Sequence, residues 1–461
     1  MIKFFKYFLL LLVIVAAALP VVGSYLIKDK LDIQVNKLRA NGIQVKESIE
    51  EESYFSSARH YEFLLKDMDD FAHYINARSN KKMSKEIVRF LEGTLLGVDL
   101  KYSNLPFIGD VSIDIYPLFL SKRVSEDLLK KDKDFYKYVN NFLKEKGILY
   151  HLDYNILNEE FKGYVKDINE SYTMKNGSIL EVQLLNATYK GKGSLRAPKV
   201  LETNFKTMKF VAKNSDEEIL MQMKELTSYS TMESKNTYTS QAKVESMSFV
   251  VKDTFIKKTK LEVKNMDMNV SSMLDGNKAK FSSHMFMQEV LLDSKITQLK
   301  AEDLNYDISF YKLDKIAKKE LEILLSESDT SKPFQTFLKV KDSFFNLMSK
   351  GVSIDLRDFS VAKIKLDGVN LEGFSISSKL DIKKDKNFIK KMKFSPIFLL
   401  RSMNFNLKMS VSKKIFKKIL ILEPMLFVTK FYIKKRGNNI ILNVVLNKGR
   451  FRINGKSIFG I

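Results

Sequence analysis

The sequence predicts a β-rich α+β fold: an N-terminal transmembrane helix followed by long antiparallel, meander-type sheets with several packed amphipathic helices. Three observations predict it. No charged residue occurs from Tyr7 to Ile27. From Ile148 to about Phe310, apolar and polar residues alternate between turn signals with no helical stretch among them, which makes neighbouring strands antiparallel. Segments of helical periodicity flank that region on both sides.

The charge-free run covers about 21 residues, roughly 30 Å as a helix, enough to cross a bilayer core. A cleavable signal has an apolar region of only ~7–15 residues before a small-residue site. Ala16-Ala17-Ala18 imitates such a site, but Leu19-Pro20 follows and apolar residues resume through Ile27, so residues 1–27 read as a retained signal anchor. Lys3 and Lys6 precede the span, which places the N-terminus in the cytoplasm and the bulk of the chain in the periplasm. The expected location is the inner membrane, with residues 7–27 as the spanning segment.

Leu31, Val35 and Leu38 fall at helical spacing before Asn41-Gly42, so residues 28–42 read as a helical stalk. Residues 43–330 form an exported β-rich region with helices. Two extended segments come first, then a helix over 67–96 with Phe71, Ile75, Ile87, Phe90 and Leu91 inward, then a strand with Val111, Ile113 and Ile115 alternating. Ser125–Lys146 reads as one amphipathic helix. Asn176-Gly177 and Asp275-Gly276 are hairpin-turn signals. Leu304, Tyr306, Ile308 and Phe310 alternate strictly. Helices return over 312–326 and 333–350. Residues 331–461 are a helix plus a basic β-rich region, with a basic helix over 411–423 and a closing hairpin carrying Phe427, Thr429, Phe431 and Ile433, then Leu442, Val444 and Leu446.

The chain has 461 residues, no cysteine and a net charge of +22. An exported chain without Cys has no disulfide framework, no thiol nucleophile and no Cys-ligated metal. From Lys379 to Ile461 there are 21 basic against 3 acidic residues, a net of +18. A genome-wide Lys bias acts everywhere and does not produce this asymmetry. The block reads either as a solvated sheet face or as a surface for anionic lipid or another envelope polyanion. Lys413, Lys414, Lys417 and Lys418 surround an apolar helical stripe, and Lys434, Lys435 and Arg436 follow; these seven are the candidate anion-binding residues. Nucleic acid is not an expected partner of an exported domain.

Four stretches stand out together: "GIQVKESIEEESYFSS", "YSNLPFIGDVSID", "YKGKGSLRAPKV" and "LNKGRFRINGKSIF". In this arrangement the chain resembles the YdgA/YihF-like family of inner-membrane-anchored bacterial envelope proteins of uncharacterised function. Phe55, Ser56 and Ser57 match its aromatic-Ser segment. Gly449, Ile453, Asn454, Gly455 and Lys456 match its closing hairpin. Where the family has a Gly-Pro pair after a His, this chain has Asn104, Leu105 and Pro106 without the His. The resemblance implies an envelope location and self-association as a homodimer or other homo-oligomer, and it carries no catalytic residues.

Nothing in the sequence marks a reaction. His60, His73, His151 and His284 show no metal-ligand spacing and read as surface or turn residues. Asp67, Asp69 and Asp70 read as a helix start. Gly373–Ser377, "GFSIS", lacks the last glycine of a nucleophile elbow and reads as a strand. No cofactor or metal is expected. Methionines cluster between Met266 and Met287, as core filler or as an adaptable apolar groove. The expected function is therefore that of a non-enzymatic envelope scaffold or assembly factor. The alternative is a lipid-binding or lipid-transfer protein with an apolar sheet groove and a basic headgroup-binding region. An envelope hydrolase is the remote third.

Overall fold

In a computed structural model, the described residues are 31–460 apart from 77–87, 90, 106–107, 195–196, 235, 254–256, 327–332, 395–399 and 423–431. The chain divides into two units, residues 1–215 and 216–461.

The first unit is an antiparallel meander. Its strands are β1 (Ile43–Glu52), β2 (Ser56–Leu65), β3 (Leu95–Ser103), β4 (Asp110–Phe119), β5 (Tyr150–Asn155), β6 (Glu160–Val165), β7 (Ile168–Thr173), β8 (Ile179–Leu185), β9 (Ala187–Ser194) and β10 (Ala197–Lys213). Each of β1 to β5 pairs with the next. Beyond them β6 and β7 pair with β9 and β8, and β9 and β8 pair in turn with the two halves of β10. Asn186, at φ 52°, breaks the β8–β9 run. The Asn176-Gly177 turn joins β7 to β8, with Gly177 at φ 79°, the left-handed backbone that glycine adopts at no steric cost.

Helix α1, residues 31–39, is not a free stalk. Val35 is buried with Tyr61, Leu100 and Tyr102 in one apolar cluster. Helix α2 (Met68–Asn76) begins where Asp67 accepts the Asp70 N–H at 3.0 Å, as the acidic start predicts. The single helix expected over 125–146 is two, α3 (Lys122–Lys131) and α4 (Lys133–Lys144). Asp132 between them is extended at φ −156°, and its carboxylate caps α4 by accepting from the Asp134 and Phe135 amides. A side chain that satisfies two orphan amides stabilises a restart, and periodicity alone does not reveal that.

The second unit is a longer meander. Strands β11 (Glu218–Ser234), β12 (Thr237–Asp253), β13 (Lys257–Asp275), β14 (Lys278–Asp293), β15 (Gln298–Asp314), β16 (Val352–Leu366), β17 (Val369–Ile382) and β18 (Met403–Ser412) pair in sequence. β18 then pairs with β20 (Asn439–Asn447), whose other edge carries β19 (Lys434–Arg436) and β21 (Arg450–Ile453); β22 (Lys456–Gly460) closes the sheet on β21. Helices α5 (Lys315–Ser326), α6 (Pro333–Ser349), α7 (Phe388–Phe394) and α8 (Lys413–Leu422) interrupt it. Ala317 of α5, Leu347 and Met348 of α6 and Phe388 of α7 join a buried cluster at strand ends, with Ala279, Leu313, Val352 and Ile382.

The expected fold class requires correction. Among the described residues strand far outweighs helix, so the protein is one of large antiparallel sheet with few helices, and no membrane-spanning helix precedes the sheet among them. The expected anchor, residues 1–27, lies outside the described residues. Among the described residues no helix is long and apolar enough to cross a membrane. The longest, α6, has 17 residues, about 26 Å and short of a ~30 Å core, and carries Lys339, Lys341 and Asp342. The transmembrane signal anchor, and the single-pass inner-membrane and periplasmic placement built on it, have no support here. Phe427, Thr429 and Phe431 of the expected closing hairpin also fall outside the described residues.

Candidate functional site

Side chains at alternate positions of a strand share a face. Following the register across the second unit yields transverse rows. One runs Leu226–Val244–Met266–Met287–Leu304–Val361–Phe374–Val411–Ile440, apolar on all nine strands. The next row on that face runs Ala242–Met268–Met285–Tyr306–Phe359–Ile376–Met409–Leu442. Met266 pairs directly with Met287 and Met268 with Met285, so the methionines that cluster in sequence form one four-residue block, each side chain half-buried.

This face is bounded by helices. At one end Phe281, Phe310, Ile354 and Leu380 pack on the cluster that α5, α6 and α7 share. At the β18–β20 edge Phe416 of α8 is buried with Val411 and Ile440, against Phe374 and Met409. The methionine block lies between these helical borders. Farther along the strands the row Met221–Phe249–Leu261 is exposed, at 48%, 41% and 37%.

A crease crosses this sheet. Between the apolar row that starts at Leu226 and the charged row Lys224–Ser246–Lys264–Glu289–Glu302–Lys363 lies a row of Glu225, Glu245, Asn265, Gln288, Asp303 and Ala362 that forms no ladder partners. Glu225, Asn265, Asp303 and, on β17, Glu372 have φ of 46°, 48°, 52° and 63°. Beyond the crease the apolar row is Met223–Met247–Val263–Val290–Ala301–Ile364, three residues from Leu226 rather than two. The extra residue is left-handed on β11, β13 and β15, and because both partners of a pair carry one, the register runs on unbroken, unlike a one-sided β-bulge. Glu289 in the flanking row takes Lys264 at 2.7 Å and Lys300 at 2.8 Å, and these bonds hold its carboxyl below the usual range.

The predicted basic residues gather at the α8 edge. Ser412 caps α8 by accepting the Ile415 N–H at 3.2 Å, and the Lys413 amide donates to the Asn438 carbonyl at 3.0 Å. That contact sets the start of α8 against the β19–β20 turn, next to Lys434, Lys435 and Arg436, all exposed. Among the described residues, Lys413, Lys414, Lys417, Lys434, Lys435 and Arg436 form no ion pair; Lys414 Nζ donates to the Asn370 carbonyl at 3.1 Å. The Lys418 side chain lies outside what is described. Cations in the first turn of a helix oppose its dipole, so this placement is not explained by helix stability.

The motif residues hold turns. Ser57 and Asn104, both 3% exposed, join the two first-unit motifs: the Ser57 hydroxyl donates to Asn104 Oδ1 at 3.0 Å, and Asn104 Nδ2 donates to the Ser53 carbonyl at 2.7 Å. The turn they fix leaves Phe55 62% exposed on the rim of a cleft of about 1080 Å³, with Tyr154 and Phe161 in its lining and four lysines and four acids around it. Pro106 lies outside the described residues. Gly449 (φ 80°) ends the β20–β21 turn, and Asn454 (φ 48°) with Gly455 (φ 87°) makes the β21–β22 turn.

His60 and His151 are not turn residues. They sit on strands in a transverse row, His60–Asp99–Asp114–His151. His60 Nδ1 lies 2.6 Å from Asp99, and His151 Nδ1 lies 2.6 Å from Asp114 with Nε2 3.2 Å from Asp153. Asp99 also takes Lys146 at 2.6 Å and the Tyr116 hydroxyl at 3.0 Å. Burial pushes the Asp99 carboxyl up, but the bonds from Lys146, His60 and Tyr116 outweigh it and hold the group below its ordinary value. With every member engaged, the row locks strands together. Among the described residues, no group of three or more His, Asp or Glu could hold a metal ion. Gly373–Ser377 is β17 strand.

The chain matches no protein-family model, no curated protein and no solved structure.

Proposed function

We propose that the protein is a non-enzymatic lipid-binding protein. The apolar face of the second unit takes acyl chains, and the cations of α8 and β19 meet an anionic headgroup. One observation carries the reading: the Met266–Met287 and Met268–Met285 pairs form a continuous block within an apolar face that α8 borders. Unbranched thioether side chains repack around chains of varied shape, and unpaired lysines at a face edge suit an anionic headgroup. The likeness to the YdgA/YihF-like family is part of this proposal and rests on the turn motifs.

Solvent extraction of gently purified full-length protein tests it. Reproducible co-purifying phospholipid is expected, with vesicle binding that weakens with salt and on K413E/K414E/K417E reversal. A well-folded protein that yields no lipid, and whose vesicle binding ignores salt and reversal, overturns the reading and returns the scaffold role to first place.

A further inference from the structure

On the opposite face of the same sheet lies a second feature. Adjacent residues of a strand point to opposite faces, so Ser353 and Asp381 face away from Ile354 and Leu380. There a pocket of about 470 Å³ is lined by Lys278, Lys312, Lys350, Lys383, Lys384 and Asp381. We propose that it is a binding site for a phosphate-bearing anion.

The fold gathers these lysines from separate elements. Lys278 opens β14 and Lys312 sits in the β15 bulge at φ 60°. Lys350 follows α6, and Lys383 and Lys384 follow β17. Gly351, at φ 83°, permits the convergence: a Cβ there would stand 3.0 Å from the Lys384 amide nitrogen. The Asp385 amide donates to the Ser349 carbonyl at 3.0 Å and ties the two chain ends together.

Of the acids nearby, Asp385 is committed elsewhere. Asp385 takes Lys391 at 2.6 Å and the Ser402 hydroxyl at 3.2 Å. Asp381, the lone acid of the lining, accepts from the Ser353 hydroxyl, and Asp314 lies 3.9 Å from Lys278. Lys278 pairs with Asp314 and donates to the Lys350 carbonyl, whereas among the described residues Lys312, Lys350, Lys383 and Lys384 form no ion pair, so an anion there would offset their mutual repulsion. Lysine supplies compact point charges suited to phosphate, and these are the cations of the lining. The volume fits a pyrophosphate or a small phosphate ester. The site stands apart from the acyl-binding face, so neither proposal depends on the other.

Calorimetric titration of the full-length protein with sodium pyrophosphate at low ionic strength, beside co-sedimentation with phosphatidylglycerol or phosphatidylcholine vesicles, tests it. Saturable binding near one per chain is expected, with affinity falling at least tenfold in K350E/K384E and in the milder K350Q/K384Q. K413E/K414E should leave it unchanged, and far-UV circular dichroism should be unchanged in all three. Pyrophosphate binding with this pattern assigns a free phosphate anion. Phosphatidylglycerol binding lost in K350E/K384E, without pyrophosphate binding, assigns a lipid phosphate. No binding in either arm, or equal loss in K413E/K414E, overturns the site and leaves only a diffuse positive field.

Discussion

Ser57 donates its hydroxyl to Asn104 at 3.0 Å across 47 residues of chain, with both side chains buried. Asn104 in turn holds the Ser53 carbonyl and, through its backbone amide, the Phe55 carbonyl. N104A strands a buried hydroxyl and a carbonyl and is expected to cost about 1–3 kcal/mol. S57A removes one bond and should cost less. Urea melts check the order. Equal costs would mean the 53–55 turn does not depend on the Asn104 carboxamide.

Asn454 does two jobs that separate by substitution. Its backbone is left-handed, and its side chain donates to the Tyr432 and Ile441 carbonyls at 2.6 and 3.0 Å while accepting the Asn443 amide at 2.9 Å. N454G keeps the backbone relaxed and loses the latch. N454A loses both and is expected to be less stable than N454G by about 1 kcal/mol. Thermal unfolding of the two side by side decides it; equal stability would mean that the φ of 48° carries no strain.

Stability should depend on pH through the His60–His151 row. Burial lowers the His151 pKa, but the bonds to Asp114 and Asp153 more than reverse this and raise it above 6.5. Its contribution is therefore full below the ordinary histidine pKa and lost as pH rises through the raised value. Asp99 runs the other way: its contribution is present above the ordinary aspartate pKa and lost as pH falls through the lowered one. Melting temperatures from about pH 4 to pH 9 should show a decline on the alkaline side that H151Q removes. A persistent alkaline decline in H151Q would rule His151 out as its source.

The crease offers a test of backbone geometry. N265G should be neutral or stabilising, because glycine adopts φ 48° freely, although it gives up the hydrogen bond to Gln288. N265V should cost about 1–3 kcal/mol, since a β-branched residue resists that region. Chemical denaturation of both variants is the check, and a well-tolerated valine would show that the left-handed residue is not required.

Individual strands and turns were legible in local pattern, although the expected fold class was not. Period-two alternation located β15 through Leu304, Tyr306, Ile308 and Phe310, and Asn176-Gly177 and Asp275-Gly276 both fall at hairpin turns. What stayed hidden depends on register. His60 and Asp99 are 39 residues apart, and nothing local says they oppose each other. The crease is written as a three-residue step from Met223 to Leu226, which reads as noise in one strand and as a rule only when six strands repeat it. The lysine pocket needs four separate segments to converge, so its five lysines look like general basic composition. Asp132 splits a helix whose apolar periodicity runs straight through it.

The methionine block carries the sharpest test of function. Met268 and Met285 are cross-strand partners on the apolar face, whereas Ser271 lies on the opposite face of β13. M268E/M285E places two carboxylates, directly opposed, where acyl methylenes would lie. Each ~0.8 kcal/mol of burial per methylene is lost where the charge keeps water, so co-purifying phospholipid should fall at least tenfold. S271E adds a charge without touching that face and should leave lipid unchanged. M268L/M285L keeps the surface apolar but replaces flexible side chains with stiffer ones, so it should retain lipid while narrowing the range of acyl lengths recovered by mass spectrometry. Lipid content that falls equally in S271E and M268E/M285E would mean that charge anywhere on the sheet suffices, and the methionine face would lose its claim to be the binding surface.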